Sequence, residues 1–380
     1  MDDVARPPRF WSINALRGCC ALVVFLSHWH LWSNFAPRGE FQCGLRFTFE
    51  VIYQSISGIT WPTGGHHPAV LGFFVLSGFC IHFPFEWKLR RTSEAPPIWR
   101  SYFRGRFWRI MPVYWAACVL GLIYVAAQHS WPADDPMLQL HSRATVAHVL
   151  VRFAGLAGVY PDEIIAGNYL LNTVAVEMVM YAVYPLIHRM AARGAWFGLG
   201  LSFLLMQGAA VLLLIWVTPY WVFNSVFMLG IFWYAGALAA HLFLSRGWRA
   251  TGAQLGAAWA FFLLTKLELV PTFYGLNLIK QAAWGLVCML GITWVLRAEE
   301  RRSAPRIGPV IAGLCFTGRI SYTLYAVHTP IIMLTTWALL IGFGCRNYLV
   351  QLAATMVVSL GVTLLVYHGI ERRFYRPRGT

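Results

Sequence analysis

Apolar runs of about twenty residues recur along this chain, the length a helix needs to cross the roughly 30 Å hydrocarbon core of a bilayer. Reading for them gives ten candidate spans, at about 13–33, 67–86, 110–128, 169–188, 196–217, 221–243, 251–269, 277–296, 318–342 and 347–368. Backbone N–H and C=O groups must find partners inside lipid, so such runs fold as helices. The expected fold class is therefore an all-α membrane protein, a bundle of about ten transmembrane helices. Composition agrees, because only 12% of the 380 residues are charged, about half the share in soluble globular domains.

The net charge of +15 raises nucleic acid as a partner, but the placement of the charge argues against it. Basic residues sit in short segments between spans, and no zinc-finger spacing or Gly-rich phosphate loop accompanies them. They serve better to orient the chain. With the N-terminus cytoplasmic, only Arg38, Arg46, Arg143, Arg152, Lys266, Lys280 and Arg346 fall outside, of 30 Lys and Arg in all. That asymmetry predicts both termini in the cytoplasm. The first apolar stretch continues past His28 without a small-residue cleavage site, so it reads as an uncleaved first span. One membrane domain (13–368) is expected between a short cytoplasmic N-terminal tail (1–12) and a basic cytoplasmic C-terminal tail (369–380). Two exterior loops, about 34–66 and 129–168, are long enough to carry recognition or a lid.

Ionisable groups inside spans cost roughly 2.5–3.5 kcal/mol each at the helix centre, so each one asks for a reason. Arg17 and His28 are eleven positions apart in ALRGCCALVVFLSH. Eleven helical steps of about 100° return to within roughly 20° of the same face, with a rise of roughly 16 Å. Arg17 then lies near the cytoplasmic surface and His28 most of the way across. Arg17 alone can snorkel to lipid phosphate; an imidazole that deep points to chemistry. In the fourth span Glu177, Tyr181 and Tyr184 form one stripe, and in the ninth Ser321, Tyr325 and His328 repeat that spacing. A buried carboxylate requires a partner, and a His or Arg from another span is the natural one. Ahead of the third span, IWRSYFRGRFWRIMP interleaves Arg100, Arg104, Arg106 and Arg109 with aromatics. Anionic lipid explains that segment, and so does an anionic cytosolic ligand. The eight cysteines show no C-x-x-C spacing, and most sit inside apolar runs and read as packing residues; Cys43 and Cys345 fall in exterior loops, where a disulfide between them stays open. No His, Cys, Asp and Glu set has ligand spacing, so no metal is expected.

Six pieces in order resemble the acyltransferase-3 family of polytopic acyltransferases: ALRGCCALVVFLSH with its Arg-ten-residues-His spacing, GFFVLSGFCI, FRGRFWRIMPVY, VEMVMYAVYPL, ISYTLYAVHTPI and HGIERRFYRP. The resemblance covers nearly the whole chain. It implies a multi-pass protein of the bacterial inner (plasma) membrane that moves an acyl group, acetyl being the expected one, from cytosolic acyl-CoA to a hydroxyl of a carbohydrate or related acceptor. O-acetylation in polysaccharide modification is the expected setting. By the same resemblance His28 looks like the catalytic histidine, with Arg17 its motif partner, and Arg104, Arg106 and Arg109 look like the cytoplasmic basic motif. Glu177 is expected to orient an imidazole or hold the acceptor, and Tyr181, Ser321, Tyr325 and His328 to line the same cavity. His28 serves as base or as acyl carrier.

A secondary transporter or flippase is the rival reading. It would place paired ionisable groups on helices broken at matching positions in two halves, and no such inverted pairing is evident.

Overall fold

The computed structural model describes residues 7–32, 66–91, 99–128, 145–157, 167–217, 225–267, 278–301, 307–345 and 347–374. The helices are α1 (Trp11–Trp32), α2 (Pro68–Arg91), α3 (Trp99–Gln128), α4 (Val146–Phe153), α5 (Leu171–Ala192), α6 (Trp196–Val217), α7 (Val226–Ser245), α8 (Gly252–Leu264), α9 (Leu278–Glu300), α10 (Pro309–Trp337) and α11 (Tyr348–Val366). A π-helical turn extends α10 through Gly342, and another carries the chain from α11 to Glu371. Among the described residues the fold is all-α. Eight of these helices are long and apolar enough to cross a membrane.

A helix overlies each of the ten expected spans. The two outside the group of eight are α5 and α8. α8 has 13 residues, about 20 Å of helix, which is short of the hydrocarbon thickness. α5 is long enough, but Asn172, Thr173, Glu177, His188 and Arg189 dilute its apolar character. The third helix also begins earlier than expected, at Trp99, so the arginine-rich segment is helical and continuous with the span. Arg and the aromatics there favour helix enough to carry Gly105 and Pro112 within it, and Pro96 and Pro97 precede it in the sequence. Most of the long segments at 34–66 and 129–168 lie outside the described residues.

Two glycine crossings set the geometry of the bundle. Where α1 meets α10, a Cβ on Gly18 would fall 2.0 Å from the Leu314 carbonyl oxygen, and one on Gly318 would fall 1.9 Å from that of Asn14. Where α2 meets α7, a Cβ on Gly78 would fall 1.9 Å from the Trp233 oxygen, and one on Gly236 would fall 1.8 Å from that of Val75. No residue but glycine fits such backbone contact, which is how membrane helices approach closely without a hydrophobic force between them. The N-terminus of α1 is fixed as well. The backbone N–H groups of Trp11 and Ser12 donate to the two carboxylate oxygens of Glu299 on α9, at 3.0 Å each. A carboxylate there satisfies two orphan donors and opposes the helix dipole.

Prolines inside helices open further ties. Pro330 has no N–H for the carbonyl of Ala326, four residues back. The Asn168 amide donates to that freed oxygen at 2.8 Å. Pro185 likewise frees the carbonyl of Tyr181, and the Tyr102 hydroxyl from α3 donates to it at 3.3 Å. The first ties the segment before α5 to α10 and the second ties α3 to α5, all of them parts of the candidate site.

Candidate active site

The α1–α10 crossing brings the two polar stripes of those helices together. Arg17 donates from Nη2 to the Ser321 hydroxyl at 3.1 Å. Toward the other end of the pair, His28 Nδ1 lies 3.0 Å from His328 Nε2, and the rings stack with centroids 5.2 Å apart. His28 is 9% exposed and His328 wholly buried.

The partners of this pair fix its tautomers. His328 Nδ1 lies 2.8 Å from the Leu324 carbonyl oxygen, which can only accept, so Nδ1 carries the proton. In a neutral ring Nε2 is then bare, and it accepts from His28 Nδ1–H. That leaves His28 Nε2 as a free lone pair, and the Tyr169 hydroxyl stands 3.0 Å from it and donates. A chain of three hydrogen bonds therefore presents one basic nitrogen toward a hydroxyl group.

Tyr169 is held by its neighbour. Asn168 is 1% exposed; besides its bond to the Ala326 carbonyl, its own carbonyl accepts from Nη1 of the buried Arg152 at 2.9 Å. The segment preceding α5 is thus tied to α10, two residues before His328, and to α4.

Below the histidines, counting toward the arginine-rich end, the helices line a partly open cavity of about 110 Å³. Arg17, Arg106, Arg109, Ser77, Glu177, Tyr181, Ser321 and Tyr325 line it, with apolar walls from Val70, Phe73, Phe74 and Leu76. Glu177 accepts from Ser77 at 2.5 Å and from Tyr181 by a short hydrogen bond. The Arg106 guanidinium lies over the Tyr181 ring, 5.5 Å from its centroid. At its far end the cavity reaches Tyr325, whose hydroxyl bonds the Thr173 hydroxyl at 2.6 Å. The Tyr325 ring lies 6.3 Å from that of His328. Mostly apolar walls with a few convergent polar groups are the usual makeup of a small-molecule site.

Of the residues singled out in the sequence, Arg17, Glu177, Arg106, Arg109, Tyr181, Ser321 and Tyr325 share the cavity. His28 and His328 form the pair just beyond its Tyr325 end. Arg104 does not join them: it is exposed on α3, away from the cavity lining. Tyr169, Asn168, Arg152, Ser77 and Thr173 were not singled out. Ser77 lies within GFFVLSGFCI, where the sequence marked a motif without marking the hydroxyl. The others carry no local signal, since their roles depend on which distant helix they meet.

Long apolar helices around a cavity with a few convergent polar groups define a multi-pass inner-membrane protein. The sequence pattern of the acyltransferase-3 family, described as an acyltransferase domain, matches residues 10–368. The chain belongs to that family and is an acyltransferase, acting on groups other than aminoacyl groups. No curated protein and no solved structure gives a significant match.

Proposed function

We propose that this protein transfers an acyl group from cytosolic acyl-CoA to a hydroxyl of a carbohydrate or related acceptor, with His28 as general base. The observation that carries the reading is the bare Nε2 of His28, held toward a hydroxyl by the His328–Leu324 chain. In the proposed step an acceptor hydroxyl takes the place now held by the Tyr169 hydroxyl. His28 Nε2 removes its proton as the oxygen attacks the thioester carbonyl. The C–S bond breaks, and the CoA thiolate leaves with the proton returned from the imidazolium. His328 accepts from His28 Nδ1–H throughout and stabilises the cation, the part a carboxylate plays in a serine-hydrolase triad.

The donor fits the arginine-lined cavity. Phosphates of CoA suit Arg106 and Arg109 in its lining, and the slender pantetheine arm suits its apolar walls. Arg17 and Ser321 flank the path, and Glu177 is oriented by Ser77 and Tyr181 to hold a polar group inside it. This reading includes a ten-span bundle with both termini in the cytoplasm, a domain over 13–368, a short N-terminal tail and a basic C-terminal tail on the same side.

Membranes containing the protein, supplied with radiolabelled acetyl-CoA, test the reading. Turnover of the label that disappears in His28→Ala, with normal expression, is expected. Label that stays on CoA while solutes or lipids cross the bilayer would instead indicate a transporter or flippase. Labelled protein accumulating without acceptor would move His28 from base to acyl carrier.

A further inference from the structure

We propose that His82, Glu86 and His241 form a binding site for a divalent transition-metal ion of the zinc type, at the arginine-rich end of the bundle and apart from the histidine pair. His82 and Glu86 are four residues apart on α2 and so share one face; His241 reaches them from α7. One donor atom from each of the three residues lies within 4.8 Å of the other two. His82 Nε2 is 3.4 Å from Glu86 Oε2, and His241 Nδ1 is 2.9 Å from Glu86 Oε1. Ligands around zinc at 2.0–2.2 Å in a tetrahedral shell stand roughly 3.4 Å apart, so only small shifts are needed.

A second observation concerns the His82 ring, which is 1% exposed. Its Nδ1 lies 3.1 Å from the Tyr184 hydroxyl, while its Nε2 is buried without a hydrogen-bond partner and faces the carboxylate. One nitrogen held by an oxygen and the other left bare toward a charged ligand is how metal-binding imidazoles are oriented. The scaffold is rigid, because α2 and α7 are in backbone contact at Gly78 and Gly236, about one turn from the cluster. Trp196 packs on the His241 ring with centroids 4.4 Å apart and limits its rotation. Two imidazoles and a carboxylate favour zinc over the hard cations magnesium and calcium. The site was not legible as spacing, because His241 lies on a different helix from the His82–Glu86 pair.

Arg90 is the competitor. Its Nε lies 2.6 Å from Glu86 Oε1, and its side chain is 38% exposed. On metal binding it would swing into solvent and release that oxygen. The bound ion would clip α2 to α7 and leave one coordination position for water.

The test uses the full-length protein without an affinity tag, purified in detergent, stripped with chelator and titrated with Zn²⁺ and then with Co²⁺. One equivalent of zinc retained through gel filtration is expected, with a raised thermal midpoint and cobalt absorption in the visible. Affinity should fall at least tenfold in His241→Ala and in Glu86→Gln. Arg90→Ala keeps every ligand and removes the competing cation, so it should bind more tightly. Wild-type protein that retains no more zinc than Glu86→Gln would overturn the proposal, as would an Arg90→Ala protein that binds no better. Either result leaves the cluster as an ion-paired tie between helices.

Discussion

His28 and His328, three hundred residues apart in the chain, are joined by a hydrogen bond of 3.0 Å between Nδ1 and Nε2. The bond has a direction, set by the Leu324 carbonyl that claims the other nitrogen of His328. In the proposed mechanism His328 acts on His28 as a positioning residue. His328→Phe should lower kcat by about 10²-fold, within the range general-base catalysis contributes, and leave the KM for acyl-CoA near wild type. His28→Ala should cost more than His328→Phe. A rise in KM with kcat unchanged would place His328 in substrate binding instead.

The tie from Asn168 to the carbonyl freed by Pro330 should matter for the same reason, at one remove. Asn168→Ala releases Tyr169 from its place over His28, and Pro330→Ala supplies a helical N–H that competes for the Ala326 oxygen. Each is expected to lower kcat severalfold. Because both act on one bond, the double variant should lose little more than the worse single. Losses that simply add would mean the two residues act independently.

Glu177 carries a finer distinction. Glu177→Gln keeps the shape and can still bond Ser77 and Tyr181 but removes the charge. Turnover should collapse while the thermal midpoint in detergent holds. An active variant, or one whose loss tracks unfolding, would make this group a structural tie between α5 and α2.

Arg17 and the arginines of α3 separate binding from lipid anchoring. Arg17→Lys should raise the KM for acyl-CoA, because an ammonium cannot reproduce the fixed fork of a guanidinium that reaches Ser321. Arg106→Ala and Arg109→Ala should do the same, whereas Arg104→Ala, exposed and away from the cavity, should change KM less. Equal effects at all three α3 positions would point to a general field rather than a shaped site. Kinetics against acyl-CoA concentration, in vesicles of fixed lipid composition, read this directly.

Topology can be mapped with reporter fusions after residues 95, 150, 192, 305 and 380. All but the fusion at 150 should report cytoplasm, as the distribution of Lys and Arg requires. A cytoplasmic signal at 150 would show that α2 and α3 do not both cross.

The chain by itself determined what depends on local pattern and bulk charge. Apolar runs of helical length placed the spans, basic residues gave an expected orientation, and the interval from Arg17 to His28 put both on one face of one helix. Proline and glycine are written locally too, although their consequences are not. Nothing near Gly18 names Gly318 as the surface it must meet, and nothing near Pro330 names Asn168 as the donor for the carbonyl it frees. Those pairings arise when the helices pack, because close approach needs two small residues at one crossing and a buried carbonyl needs a donor from wherever one lies. The same holds for the chemistry. Sequence offered His28 and His328 as two ionisable groups on different spans, but which nitrogen is bare follows from three hydrogen bonds that only the tertiary structure contains. The direction of each bond depends on whether its partner can donate or only accept, and that partner is chosen by packing.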